Sequence, residues 1–200
     1  MTHMRNYSRA LGLLGALLVG LGGGCSSVDP AANDVYERGV QQAEEGNIVA
    51  AISILQDGAN SHPDHTPMRF ALGRLQYELG EAEHVREREA RRLAKRLIAT
   101  GQRQEALAAT REANAFRQKA MPYYEEARQN LDEVADHGDS DRQRGWAYYV
   151  LIRVHVFFED WEAVDYAIDQ AINLRKPPGA LYAKWREFQA EVRREHLAVR

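Results

Sequence analysis

Residues 34–46 read DVYERGVQQAEEG and residues 68–80 read MRFALGRLQYELG. At an offset of 34 residues, Tyr36 falls on Phe70, Gly39 on Gly73, Gln42 on Gln76 and Gly46 on Gly80. Two glycines recurring with the same separation at the same offset mark an internal repeat. Both stretches are rich in helix formers and lack period-2 alternation, which predicts helices. Gly39 and Gly73 fall inside those helices, where glycine costs up to about 1 kcal/mol relative to alanine. The reason expected for keeping them is close approach of a neighbouring helix. Gly46 and Gly80 are predicted to stop their helices as C′ glycines, with Asn47 and Glu81 opening the next. After Gly46 the stripe Ile48, Ala51, Ile52, Leu55 and Ala59 predicts an amphipathic partner helix, closed by Pro63.

This unit resembles the tetratricopeptide repeat (TPR), a 34-residue helix–turn–helix. Gly39, Gly46, Ala51, Leu55 and Pro63 meet five of the family's preferred positions. Val35, Arg38 and Gln42 depart from it, and the second unit has Val85 at the family's alanine and Glu89 where an aromatic is usual. The resemblance covers about residues 32–85. It implies helix pairs stacked as a solenoid, with partners held in a groove formed by the first helices. Carried over position by position, the groove residues are Asn33, Tyr36, Val40, Ala43 and Glu44, then Pro67, Phe70, Arg74, Tyr77 and Glu78. Tyr36, Val40, Phe70, Arg74, Tyr77 and Glu78 are the partner-binding set this implies; aromatics and arginine dominate interface energetics.

Outward from the repeat the chain still reads as helix. Residues 81–99 are dense in charge, with Glu87–Arg91 and Glu89–Arg92 at helical spacing and Val85, Leu93, Leu97 and Ile98 as the predicted inward face. Thr100-Gly101 predicts a turn, followed by a helix over 102–120. Pro122 is predicted to open a further helix, with Tyr124, Ala127, Leu131 and Val134 on one face and His137-Gly138 at its end. Residues 141–158 are nearly apolar all round, which predicts a buried central helix. Glu159-Asp160 turns the chain into 161–174, closed by Pro177-Pro178. A last helix over 179–197 presents Leu181, Trp185, Phe188 and Val192 as one stripe and caps the array. The expectation is an all-α, TPR-like solenoid of about eight helices over residues 34–197, with atypical C-terminal repeats.

The whole chain has 200 residues, 26 Lys+Arg against 29 Asp+Glu, and 44% hydrophobic residues. Such a balance excludes intrinsic disorder and argues against a dedicated nucleic-acid binder. One cysteine excludes an internal disulfide. Arg5 and Arg9 precede twelve uncharged, mostly apolar residues, Ala10 to Leu21. As a helix these rise about 18 Å, short of a hydrocarbon core roughly 30 Å thick, so the segment reads as an export signal. The sole cysteine, Cys25, follows Gly22, Gly23 and Gly24, and in this it resembles a bacterial lipoprotein signal, although Gly22 stands where that family prefers leucine. The resemblance implies that residues 1–24 are removed and that Cys25 carries lipid, palmitate among its acyl chains. With Ser26 rather than aspartate after it, it implies an outer-membrane lipoprotein facing the periplasm. Residues 25–33 read as a small, polar tether.

No phosphate loop, HExxH or nucleophile elbow is present, so neither an enzyme nor a cofactor is expected. His62, Asp64 and His65 lie in an inter-repeat turn and are not expected to hold a metal. His155 is expected to be a satisfied core histidine. Residues 86–119 hold ten Lys/Arg against four Glu. Within that run Arg88, Arg91, Arg92, Lys95 and Arg96 could face an anionic envelope polymer or lipid, the alternative to a solvated, internally paired face. The function expected is a membrane-anchored adaptor that binds other envelope proteins in a pilus, secretion or cell-wall machine, with no nucleic acid.

Overall fold

Asp29 starts the helical part of the chain: its carboxylate accepts the Ala31 amide at 3.0 Å, and Pro30 fills the first turn, where no amide is needed. A computed structural model describes residues 29–174 and 179–197. The described residues form seven helices and no strand: α1 Pro30–Glu44, α2 Ile48–Ser61, α3 Thr66–Ala99, α4 Arg103–His137, α5 Asp141–Phe158, α6 Trp161–Asn173 and α7 Gly179–Val192, followed by a π turn at Arg193–Leu197. The expected signal and Cys25 lie outside these residues. Residues 30–33, expected to belong to the tether, lie in α1, with Ala32 buried.

The first hairpin is as the sequence predicts. Gly46, at φ 84°, ends α1 in a conformation natural to glycine, and α2 folds back. A Cβ on Gly39 would sit 2.6 Å from Leu55, so its glycine permits the close approach. Ala43, Leu55, Met68 and Leu72 form a core shared by α1, α2 and the start of α3.

The second hairpin departs from expectation at both of its predicted breaks. Gly80 does not end a helix. α3 runs through it for 34 residues, and the Tyr124 ring occupies the space a Cβ would need, 3.0 Å away. Nor does Pro122 begin one: it lies exposed inside the continuous 35-residue α4, where its ring removes one backbone hydrogen bond. The two helices run antiparallel in a regular register. Gly73 meets Leu131, Gly80 meets Tyr124 and Glu87 meets Arg117, seven residues further along α3 and seven earlier along α4 each time. That is a heptad seam. In the first hairpin Gly39 packs on a residue 16 positions later, and in the second Gly73 packs on one 58 positions later. The second hairpin therefore resembles the first, lengthened at its turn by 42 residues.

In the lengthened part the buried seam is Ala90, Ala94, Ala106, Ala109 and Ala113. Val85, Leu93 and Ile98, expected to face inward, are exposed. Two helices packed on small residues lie too close to enclose large side chains between them. Glu87 and Arg91 pair as predicted, at 2.7 Å; Glu89 is exposed and forms no pair with Arg92 among the described residues.

The third hairpin, α5 and α6, closes the larger core. α5 buries Gly145, Ala147, Tyr148, Val150, Leu151, Ile152, Val154 and Phe157, as its apolar run predicts. Caps fix both of its hairpin's helices: Ser140 Oγ accepts the Gln143 amide at 3.2 Å and Asp160 Oδ1 the Ala163 amide at 3.2 Å. Trp185 and Val192 of α7 are buried in the same core, with Phe188 half-buried beside them. Leu181, assigned to that stripe, lies outside the described side chains.

Candidate functional site: an aromatic and cationic cleft

A cleft of about 640 Å³ opens where α3, α4, α5 and α7 converge. Its floor is aromatic. Tyr124 and Phe157 lie 4.4 Å apart between ring centres, and His84 meets Phe157 edge-on at 5.1 Å. Tyr149, Trp185 and Phe188 line the walls. Four cations, Arg88, Arg117, Arg153 and Lys184, stand against two carboxylates, Glu81 and Glu159. Apolar walls lower the local dielectric and strengthen the field of that cationic excess.

All of these charges but Lys184 have partners in the fold. Glu81 accepts the Tyr124 hydroxyl at 2.9 Å, Arg88 at 3.0 Å and Arg153 at 3.4 Å. Burial beside the Glu81 charge pushes the Tyr124 phenol far above its ordinary range, so it stays a donor. Arg117 lies 4.6 Å over the Phe157 ring, donates to the Phe157 carbonyl at 3.0 Å and approaches Glu87 and Glu159 at 3.7 Å. Glu87 is 2% exposed and is bound by Arg91 at 2.7 Å and His84 at 2.9 Å. Burial alone would raise its pKa, but those hydrogen bonds and charges hold it below the usual carboxylate range. Lys184 is exposed, and among the described residues it has no ion-pair partner.

Arg153 connects the cleft to the predicted groove. Its guanidinium packs 5.8 Å from the Tyr77 ring and 5.9 Å from the Tyr149 ring, and its Nε donates to the Tyr77 hydroxyl. Burial raises the Tyr77 pKa, so the phenol remains protonated. Arg74 and Glu78 form a 3.1 Å pair one turn away on α3. Tyr36 and Val40 are half-buried on α1, with Tyr36 packed 5.6 Å from His65. Phe70 does not line an open surface: it is 6% exposed and belongs to the core between α3, α4 and α5. Of the six predicted groove residues, Tyr77 meets the cleft directly, through Arg153 and through the Tyr124 ring 5.7 Å away.

The predicted anionic-ligand face is divided. Arg88 and Arg91 are engaged by Glu81 and Glu87, whereas Arg92, Lys95 and Arg96 are exposed with no ion pair among the described residues. His65 caps α3, accepting the Met68 amide at 3.1 Å, and His62 lies 3.1 Å from Asp29, so both serve the turn. His155 is buried as expected but not satisfied: among the described residues its Nδ1 has no hydrogen-bond partner, and it stands 4.0 Å from Asp160.

Sequence reading missed Arg117, Tyr149, Arg153, Lys184, Trp185 and Phe188 as site residues. A signal existed for Arg153, the single permanent charge in an apolar run from Trp146 to Phe158. The chain matches no family model, no curated protein and no solved structure.

Proposed function

We propose that this chain is a TPR-like adaptor of the bacterial envelope, held at the outer membrane by lipid on Cys25, that binds an extended acidic segment of another envelope protein. The segment lies across the first helices of the three hairpins, from Tyr36 and Val40 past Arg74, Tyr77 and Glu78, and ends in the cleft at Arg153. The observation that carries this reading is Arg153 held between Tyr77 and Tyr149, where the groove positions of α3 meet a cleft of aromatics and cations. Rigid aromatic walls supply apolar contact, and a pre-positioned guanidinium supplies a charged hydrogen-bond donor for a carboxylate. The TPR reading is supported by Gly39 and Gly73, each admitting a partner helix, with the second repeat interrupted at its turn.

Affinity capture of the tagged, natively exported protein from gently solubilised membranes tests this. An envelope protein recovered with the wild type and lost with Arg153→Glu and with Tyr149→Ala is the result expected. Equal recovery with all three contradicts the site, and a Cys25→Ala protein that still fractionates with membranes contradicts the anchor.

A further inference from the structure

Beyond Glu87 and Arg117 the α3–α4 pair continues as an arm. Neither hydrophobic core includes a residue from 88 to 116 among the described residues. From Arg88 to Ala99 the helix rises about 18 Å. The alanine seam draws the two helices together and leaves the large apolar side chains outside: Ile98 is 63% exposed, Leu107 54% and Leu93 40%. Around them the charge is mainly positive: residues 88–116 hold seven Lys/Arg against three exposed glutamates, Glu89, Glu105 and Glu112. No acidic residue occurs between Glu89 and Glu105, while Arg91, Arg92, Lys95, Arg96 and Arg103 fall in that interval. Arg91 is neutralised by Glu87; the other four are exposed and hold no ion pair among the described residues.

We infer that the tip of this arm is a peripheral docking surface for an anionic lipid membrane. Arg92, Lys95, Arg96 and Arg103 would engage lipid phosphates, and Ile98 and Leu107 would enter the headgroup–acyl boundary. The pairing of chemistries selects the occupant. Cations near an anionic bilayer contribute about 1 kcal/mol each, and exposed apolar side chains add to this only where there is hydrocarbon to enter. A polyanion would satisfy the cations and leave Ile98 and Leu107 in water. A second copy docking tip to tip would set like charges against each other across a two-fold contact. No helix among the described residues is long and apolar enough to cross a membrane, so the contact is a surface one.

A site-specific probe separates this from any effect of the N-terminal segment. The full chain carrying Cys25→Ser and Ile98→Cys is labelled with an environment-sensitive fluorophore. Beside it stands a chain labelled through Val49→Cys on α2, a site 81% exposed. Vesicles of phosphatidylcholine alone and of an equal mixture with phosphatidylglycerol are then titrated. The inference expects a blue shift at Ile98 with the anionic vesicles only, none at Val49, and partitioning weakened about 100-fold by Arg92→Gln, Lys95→Gln and Arg96→Gln together. Three results would overturn it: no shift at position 98, an equal shift with neutral vesicles, or an equal or larger shift with heparin in place of vesicles.

Discussion

Glu159 sits at φ 60° because the chain must close α5 and turn at once: its own amide reaches the Val156 carbonyl at 3.1 Å and the Asp160 amide reaches the His155 carbonyl at 3.0 Å. A left-handed backbone costs a residue with a Cβ on the order of 1 kcal/mol, and glycine avoids that cost. Glu159→Gly is therefore expected to raise stability by about 0.5–1 kcal/mol in urea unfolding, since the 3.7 Å contact it loses with Arg117 is solvent-exposed and weak. Gly73→Ala acts in the opposite direction. Its Cβ would stand 2.8 Å from Leu131 Cγ and 3.3 Å from the Ala127 carbonyl oxygen, and overpacking of this kind costs about 1–3 kcal/mol. His155 sets a pH dependence. Burial lowers its pKa, with Arg128 adding to this and Asp160 opposing it. Below an unfolded-state pKa of about 6.5 the unfolded chain takes up a proton that the folded chain refuses, so stability falls as pH falls through that window until the folded histidine titrates. His65, also lowered by burial, acts in the same sense. The urea midpoint of the wild type should drop more between pH 7.5 and 5.5 than that of His155→Gln.

At the scale of elements, the first hairpin was legible because everything that decides it is local. Gly46 stops α1, the Ile48–Ala59 stripe makes α2, and Gly39 packs on Leu55 within the same hairpin. The second was not, because one local signal has two meanings. Gly73 and Gly80 repeat the seven-residue spacing of Gly39 and Gly46, but on α3 that spacing is a heptad against α4, and only Tyr124, 44 residues on, distinguishes a stop from a close approach. The arm misled for a related reason. Leucine and isoleucine mark a core face in most helices, yet here alanine fills the seam and the larger residues stay outside. An arm held by alanines buries little apolar area, so its opening should require less free energy than that of the core. Hydrogen exchange is expected to be faster for amides of 90–98 and 106–113 than for those of 147–157. Equal protection would show that something further braces the arm.

For the whole molecule, one architectural change links fold to site. Lengthening the second hairpin places Glu81, His84 and Arg88 on α3 and Arg117 and Tyr124 on α4 beside α5, and α7 then closes the fourth wall with Lys184, Trp185 and Phe188. The groove positions expected on α1 and α3 rest on the repeat alone, and one of them, Phe70, lies in the core. The cleft could not be read from the sequence, because it joins residues from 81 to 188 that only the packing brings together. The account's central claim, that a protein segment occupies this junction, is tested most directly by a photo-crosslinking residue placed at Tyr149 in the full chain expressed in cells, with the same residue at Val49 as a reference. The account predicts a discrete adduct with another envelope protein from position 149, diminished by Arg153→Glu, and none from position 49. The absence of any adduct at 149, or the same adduct from both positions, would contradict it.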